Sequence, residues 1–181
     1  MQSLIPNPLH PAIVHLPIAI AVLLPVFAIG ALFFIRRGTR PRTAWGITIA
    51  MLVALLFSGW ASLQTGEQQE ERVEEVVAER SIHTHEEAAE AFLLITAVVL
   101  TASLIGLAPG RAGRYGRWAA TLGTLAIVGA GWRVGHSGGM LVYRDGAASA
   151  YTGATVRAVG GDVQQRKDID ADAERRSRND R

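Results

Sequence analysis

The sequence predicts an all-α fold, a polytopic membrane protein built as a bundle of four transmembrane helices. Three observations predict it. The apolar residues, 49% of the 181, gather in four blocks instead of spreading evenly. Each block holds around 20 residues with almost no charge, enough to cross the roughly 30 Å hydrocarbon core of a bilayer as a helix rising about 1.5 Å per residue. The segments between the blocks are charged, and their sign alternates: basic, acidic, basic. Four blocks of this length are rare inside a soluble domain.

Residues 1–10 carry no acid, lysine or arginine, and Pro6 and Pro8 keep them extended. No basic segment or small-residue cleavage site precedes the first apolar run, so that run is expected to stay as a span. Span one covers 11–35. Pro11 suits its first turn. Pro17 and Pro25 lie inside it, where a bundle can satisfy the backbone groups they free. Arg36, Arg37, Arg40 and Arg42 follow with no acid among them. Span two covers 44–63 and carries an interfacial Trp60 near its end.

Residues 65–80 are acidic. Val73, Val76 and Val77 stand at helical spacing there, which predicts a short amphipathic helix lying on the bundle end. Ser81 or Thr84 is expected to cap the next helix, with Glu86 and Glu87 in its first turn. Span three covers 88–108 and is ended by Pro109-Gly110. Arg111, Arg114 and Arg117 follow, again without an acid. Span four covers 118–135 and is rich in glycine, with Gly131 and Gly135 as a GxxxG pair for close helix approach. Arg133 is the one basic residue inside it. Gly138-Gly139 is expected to stop this helix. The membrane domain extends over 1–158, and 159–181 is expected to be a disordered polar tail.

Short arginine-rich loops stay in the cytoplasm. Both termini are therefore expected on the extracytoplasmic side of the inner (cytoplasmic) membrane. All five histidines then lie at one face. His10 and His15 stand at the entrance of span one, His83 and His85 at the entrance of span three, and His136 at the exit of span four. Glu67, Glu86, Glu87 and Arg133 share that face. A histidine at the edge of hydrocarbon is costly unless something uses it. His10 and His15 differ by about 140° around a helix, and His83 and His85 by about 200°, so one of each pair is expected to turn inward. His15 and His85, the deeper two, are the expected pair, with His136 beside them.

With no cysteine in the chain, disulfides, thiolate zinc sites, iron–sulfur clusters and covalent haem attachment are excluded. There is no HExxH, phosphate loop or dinucleotide fingerprint. Ser58, Ser62, Ser81 and Ser137 lack a nucleophile elbow, so nothing in these motifs points to catalysis by the chain itself. No acid sits mid-span and no inverted repeat is evident, which argues against a transporter. Nucleic acid is not an expected partner, because the basic tail would lie outside the cell membrane.

Three readings of the histidines follow. The first is a b-type haem with His15 and His85 as axial ligands, His136 nearby and Arg133 on a propionate. It would serve electron transfer with a redox partner protein on the extracytoplasmic side. The second is a divalent metal (zinc, copper or iron) held among His15, His85, His136, Glu67 and Glu86. The third treats the histidines as interfacial residues bonded to backbone carbonyls, in a scaffold or partner subunit of a membrane complex.

Four stretches together resemble one family: His10-Pro-Ala-Ile-Val-His15-Leu-Pro-Ile-Ala19, Thr65-Gly66-Glu67, His85-Glu86-Glu87-Ala88-Ala89 and Gly138-Gly139-Met-Leu-Val-Tyr143. The chain is similar, over roughly 8–150, to the bacterial four-span membrane proteins grouped as domain of unknown function 2231. Relatives often continue the last motif with His-Gly after Tyr-Arg, where this chain reads Arg144-Asp145-Gly146. Some relatives are fused to cytochrome c or Rieske-type modules, so the resemblance implies electron transfer by association.

Overall fold

A computed structural model describes residues 10–150, except for the side chains of Gln69, Glu71 and Arg72. The described chain is helical: α1 (His10–Ile13), α2 (His15–Arg36), α3 (Pro41–Glu74), α4 (Glu79–Ile105) and α5 (Gly110–Tyr143). The tail expected at 159–181 lies outside the described residues.

α1 and α2 form one rod broken at Val14. Pro17 has no N–H to give the Ile13 carbonyl, which loosens the turn there. Bonds from Val14 N to the His10 carbonyl (3.2 Å) and from Ile18 N to the Val14 carbonyl (3.3 Å) carry the chain across. α2 ends in a Schellman motif on Gly38, whose φ is 98°. Thr39 N reaches the Phe34 carbonyl at 3.0 Å and Gly38 N the Ile35 carbonyl at 3.1 Å. Pro41 then opens α3, where a missing N–H costs nothing.

Three sequence expectations on helix boundaries change. Residues 65–74 are not a separate surface helix but the continuation of α3. Nothing in Gln64–Glu74 interrupts the ladder except one glycine, and Gln, Glu and Arg are strong helix formers. Neither Ser81 nor Thr84 caps α4. The helix starts earlier, at Glu79 after an extended Ala78, and Thr84 Oγ1 donates to the Arg80 carbonyl from inside it. Gly138-Gly139 does not stop α5, which runs on to Tyr143.

The four long helices are joined by short turns and run antiparallel to their chain neighbours. α4 packs most extensively on α5, and α2 on α3. The contacts α3–α4 and α2–α5 close the ring. The inside is small and partly polar. Ala21, Leu24, Ala28, Trp45, Leu52, Leu55 and Ile127 are buried beside Thr48, Thr96, Thr124 and Ser103. The outside carries large apolar side chains, among them Val26, Phe57, Leu94 and Leu122. Large apolar groups outside and hydroxyls inside suit a lipid solvent, where helix contacts depend on close packing instead of water exclusion.

α4 and α5 approach closely at glycines. A Cβ on Gly116 would lie 2.7 Å from the Gly106 nitrogen, and one on Gly123 would lie 2.5 Å from Val99 Cγ2. The GxxxG pair is not that seam: Gly131 meets the Phe92 ring, while Gly135 faces open space. Three helical stretches are long and apolar enough to cross a membrane: His10–Arg36, Pro41–Gln68 and Glu79–Ile105. The expected fourth, at 118–135, lies within α5. That helix is long enough, but its glycines, threonines and Arg133 dilute its apolarity.

Candidate functional site

One end of the bundle gathers two histidines from different helices. α1 lies against α3, and this packing turns His10 inward. His10 Nδ1 is 2.9 Å from the Ser62 carbonyl and 3.3 Å from Thr65 Oγ1. A carbonyl only accepts, so Nδ1 carries the proton. Thr65 Oγ1 spends its own hydrogen on the Ser62 carbonyl at 3.0 Å, so it too meets the imidazole as an acceptor. The lone pair of His10 is therefore on Nε2.

α4 and α5 repeat this construction. His85 Nδ1 is 2.9 Å from Ser137 Oγ, which donates its hydrogen to the Val134 carbonyl at 3.0 Å. Ser137 must then accept from His85 Nδ1–H, again leaving the lone pair on Nε2. Each ring also rests on a glycine. A Cβ on Gly66 would stand 3.3 Å from His10 Cε1, and one on Gly138 would stand 3.0 Å from His85 Cε1. Both histidines are half-buried. They are close enough that charge on His10 acts on His85.

The partner expected for His85 was His15; the structure turns His10 inward at the same end of the bundle and leaves His15 outside. His15 is exposed, on the outer side of α2 with Leu16 and Ile18. The two residues are over a quarter turn apart, so when α1 seats His10 on α3, His15 must look away. His136 and Arg133 are exposed on α5. Glu67 is exposed and accepts from Gln64 Nε2 at 2.8 Å. Glu86 is half-buried, and burial first, then the neighbouring Glu70, push its carboxyl above the usual range. His83 itself is exposed, 3.8 Å from Glu87. Among the described residues, no three His, Asp or Glu side chains group to hold a metal ion.

The arrangement presents two imidazole Nε2 lone pairs, each ring oriented through its Nδ1–H. Metal-ligating histidines are held in this way, by a carbonyl or other acceptor on the second nitrogen. Two such donors suit a centre that brings its remaining ligands with it, as haem iron does. The sequence reading missed His10, Ser62, Thr65, Gly66, Ser137 and Gly138 as parts of one arrangement. A sequence signal for the last four was present: Gly59-Trp60 precedes Thr65-Gly66 just as Gly131-Trp132 precedes Ser137-Gly138.

Comparison with curated proteins and with solved structures finds no match for this chain. The family described as "Predicted membrane protein (DUF2231)" matches residues 6–150. With most of its length matched, its helices long and apolar, and its large apolar side chains turned outward, the chain belongs to this membrane protein family.

Proposed function

We propose that the protein crosses the inner membrane four times, with both termini outside, and binds a b-type haem between His10 and His85 for electron transfer at the outer face. The observation that carries the haem reading is the pair of Nδ1-anchored imidazoles, neither with a hydrogen bond to its Nε2 among the described residues. It replaces the His15–His85 pair expected from sequence. Haem bound there would pass single electrons to or from a redox partner protein on the extracytoplasmic side. Arg133 and His136, exposed on the same end of α5, stand outside the pair. Arg133 remains placed to meet an anionic group at the rim.

The fourth crossing is supported by α5 itself. Its 34 residues give about 50 Å of helix. It packs along α4, buries Ala120, Thr124 and Ile127, and exposes Leu122, Leu125 and Val128. The arginine loops at 36–42 and 111–117 support an inner location for that end. A divalent metal is the weaker reading, since no third protein ligand groups with the pair among the described residues.

The test is an absorption spectrum of the detergent-purified protein from haem-sufficient cells, with and without dithionite. A Soret band, with an α-band sharpening on reduction, is expected. A protein without a Soret band refutes the haem reading, and stoichiometric metal by elemental analysis would then favour the second.

A further inference from the structure

The buried residues of α2 recur in α4 at one constant separation along the chain. Pro17 corresponds to Phe92, Ala21 to Thr96, Leu24 to Val99, Ala28 to Ser103 and Ala31 to Gly106. His10 and His85 fall in the same series. A second constant separation relates α3 to α5. It pairs Trp45 with Arg117, Thr48 with Ala120, Leu52 with Thr124 and Leu55 with Ile127, all buried. Continued outward, it pairs Gly59-Trp60 with Gly131-Trp132 and Thr65-Gly66 with Ser137-Gly138.

Helix packing alone explains alternating steps of three and four residues within each helix. It does not set the phase of those steps relative to a histidine or to a Gly-Trp pair. Two unrelated seven-residue patterns would agree in phase only about one time in seven, and here both helix pairs agree. The contacts agree as well. A Cβ on Gly59 would lie 3.4 Å from Phe92 Cε1 and one on Gly131 3.5 Å from Cε2, so both glycines face the same ring from opposite edges. Each histidine meets a hydroxyl that donates to a carbonyl three residues earlier, followed by a glycine against the ring.

We infer that the membrane domain is a tandem duplication of one helical hairpin, and that His10 with Thr65-Gly66 and His85 with Ser137-Gly138 are two copies of one imidazole-presenting half-site. Both hairpins keep the same direction, so the repeat axis lies along the bundle. Thr65 and Ser137 are positioning residues, holding the Nδ1–H and so directing Nε2. Gly66 and Gly138 leave the room each ring occupies. A ligand seated between the halves takes one nitrogen from each and is therefore one that accepts two equivalent imidazoles. Its identity as haem rests on the reading above; the duplicated half-sites do not.

The chain has no cysteine, so engineered pairs in the full-length, detergent-purified protein report single contacts. His10→Cys with Gly66→Cys, and His85→Cys with Gly138→Cys, should both cross-link under mild oxidation, while His15→Cys with Gly66→Cys should not. Cross-linking by only one of the first two pairs overturns the duplication. With haemin titrated into the protein, Thr65→Ala and Ser137→Ala should each weaken binding by about 10–100-fold. Thr65→Ser and Ser137→Thr should restore it, and His10→Gln and His85→Gln should each abolish the bis-imidazole spectrum. Matched variants differing by more than about tenfold, 1.4 kcal/mol, overturn the equivalence. If both cross-links form and the wild-type protein binds no haemin, the half-sites stand and the haem reading falls.

Discussion

Ser137→Ala removes the acceptor that holds His85. In the folded chain Ser137 Oγ takes the His85 Nδ1–H at 2.9 Å and donates to the Val134 carbonyl at 3.0 Å. Losing the second bond costs little, because that carbonyl lies within the continuous ladder of α5. Losing the first leaves the imidazole N–H without its acceptor in a half-buried place. An unsatisfied group costs about 1–3 kcal/mol when fully buried; with His85 partly exposed, about 1–2 kcal/mol is expected. Ser137→Thr keeps the hydroxyl and should recover most of the loss. Thr101→Ala is the control. Its exposed hydroxyl bonds only the Ala97 carbonyl of its own helix, at 2.9 Å, and its removal should stay within about 0.5 kcal/mol. The assay is reversible unfolding of the full chain in mixed micelles, followed by tryptophan fluorescence. Ser137→Ala no more destabilising than Thr101→Ala, or no recovery with threonine, refutes the hydrogen-bond account of the site.

On the glycine seam, Gly116→Ala and Gly123→Ala should each destabilise by about 1–3 kcal/mol through overpacking. Gly135→Ala meets nothing within 4 Å and should stabilise by about 0.5–1 kcal/mol; the same unfolding assay reads all three, and equal effects at Gly116 and Gly135 would sink the assigned seam. Thr48 is fully buried and its hydroxyl has no partner among the described residues, so Thr48→Val should be neutral or stabilising by up to about 3 kcal/mol, and a marked loss of stability in the same titration would show that the hydroxyl is used. Trp45→Phe removes the Nε1–H donated to the Ser103 carbonyl at 3.0 Å and should cost about 1–3 kcal/mol, read by chemical unfolding monitored by circular dichroism. For topology, a cysteine at Thr39 should be shielded from an impermeant maleimide in intact cells and one at Tyr143 labelled; labelling of both would exclude the four-span arrangement.

How far the site was legible can be followed through His10. Beside Pro11 and close to the chain start, it reads as a residue exposed at a helix entrance, and His15 looks the better ligand because it is deeper. Helical geometry required that only one of the two face inward, but which one depends on the α1–α3 contact, and that contact is long-range. The residues that orient the rings were hidden differently. Ser62, Thr65 and Ser137 bond a carbonyl of their own helix, as many membrane-helix hydroxyls do. Only the arrival of a histidine from another helix makes them part of a site. The duplicated Gly-Trp and hydroxyl-Gly pairs were on view in the chain, yet their meaning depends on burial register. Similarly, the glycines of α5 suggested close packing. The partner helix selected Gly116 and Gly123 in place of the GxxxG pair, because a Cβ on either of those would lie 2.5–2.7 Å from α4 or its C-cap, whereas one on Gly131 keeps 3.5 Å from the Phe92 ring and one on Gly135 meets nothing within 4 Å.

By itself the sequence determined the helical class, the apolar lengths, the arginine loops and the clustering of histidines towards one end. These follow from composition and one-dimensional periodicity, which act over a few turns of chain. The tertiary structure alone decided that α3 runs unbroken from the core to Glu74, that His10 and not His15 turns inward at the end that holds His85, and that each imidazole donates through Nδ1. Those outcomes depend on which helix faces meet, and that is settled by packing between segments far apart in sequence, where steric fit at a few glycines outweighs local preference.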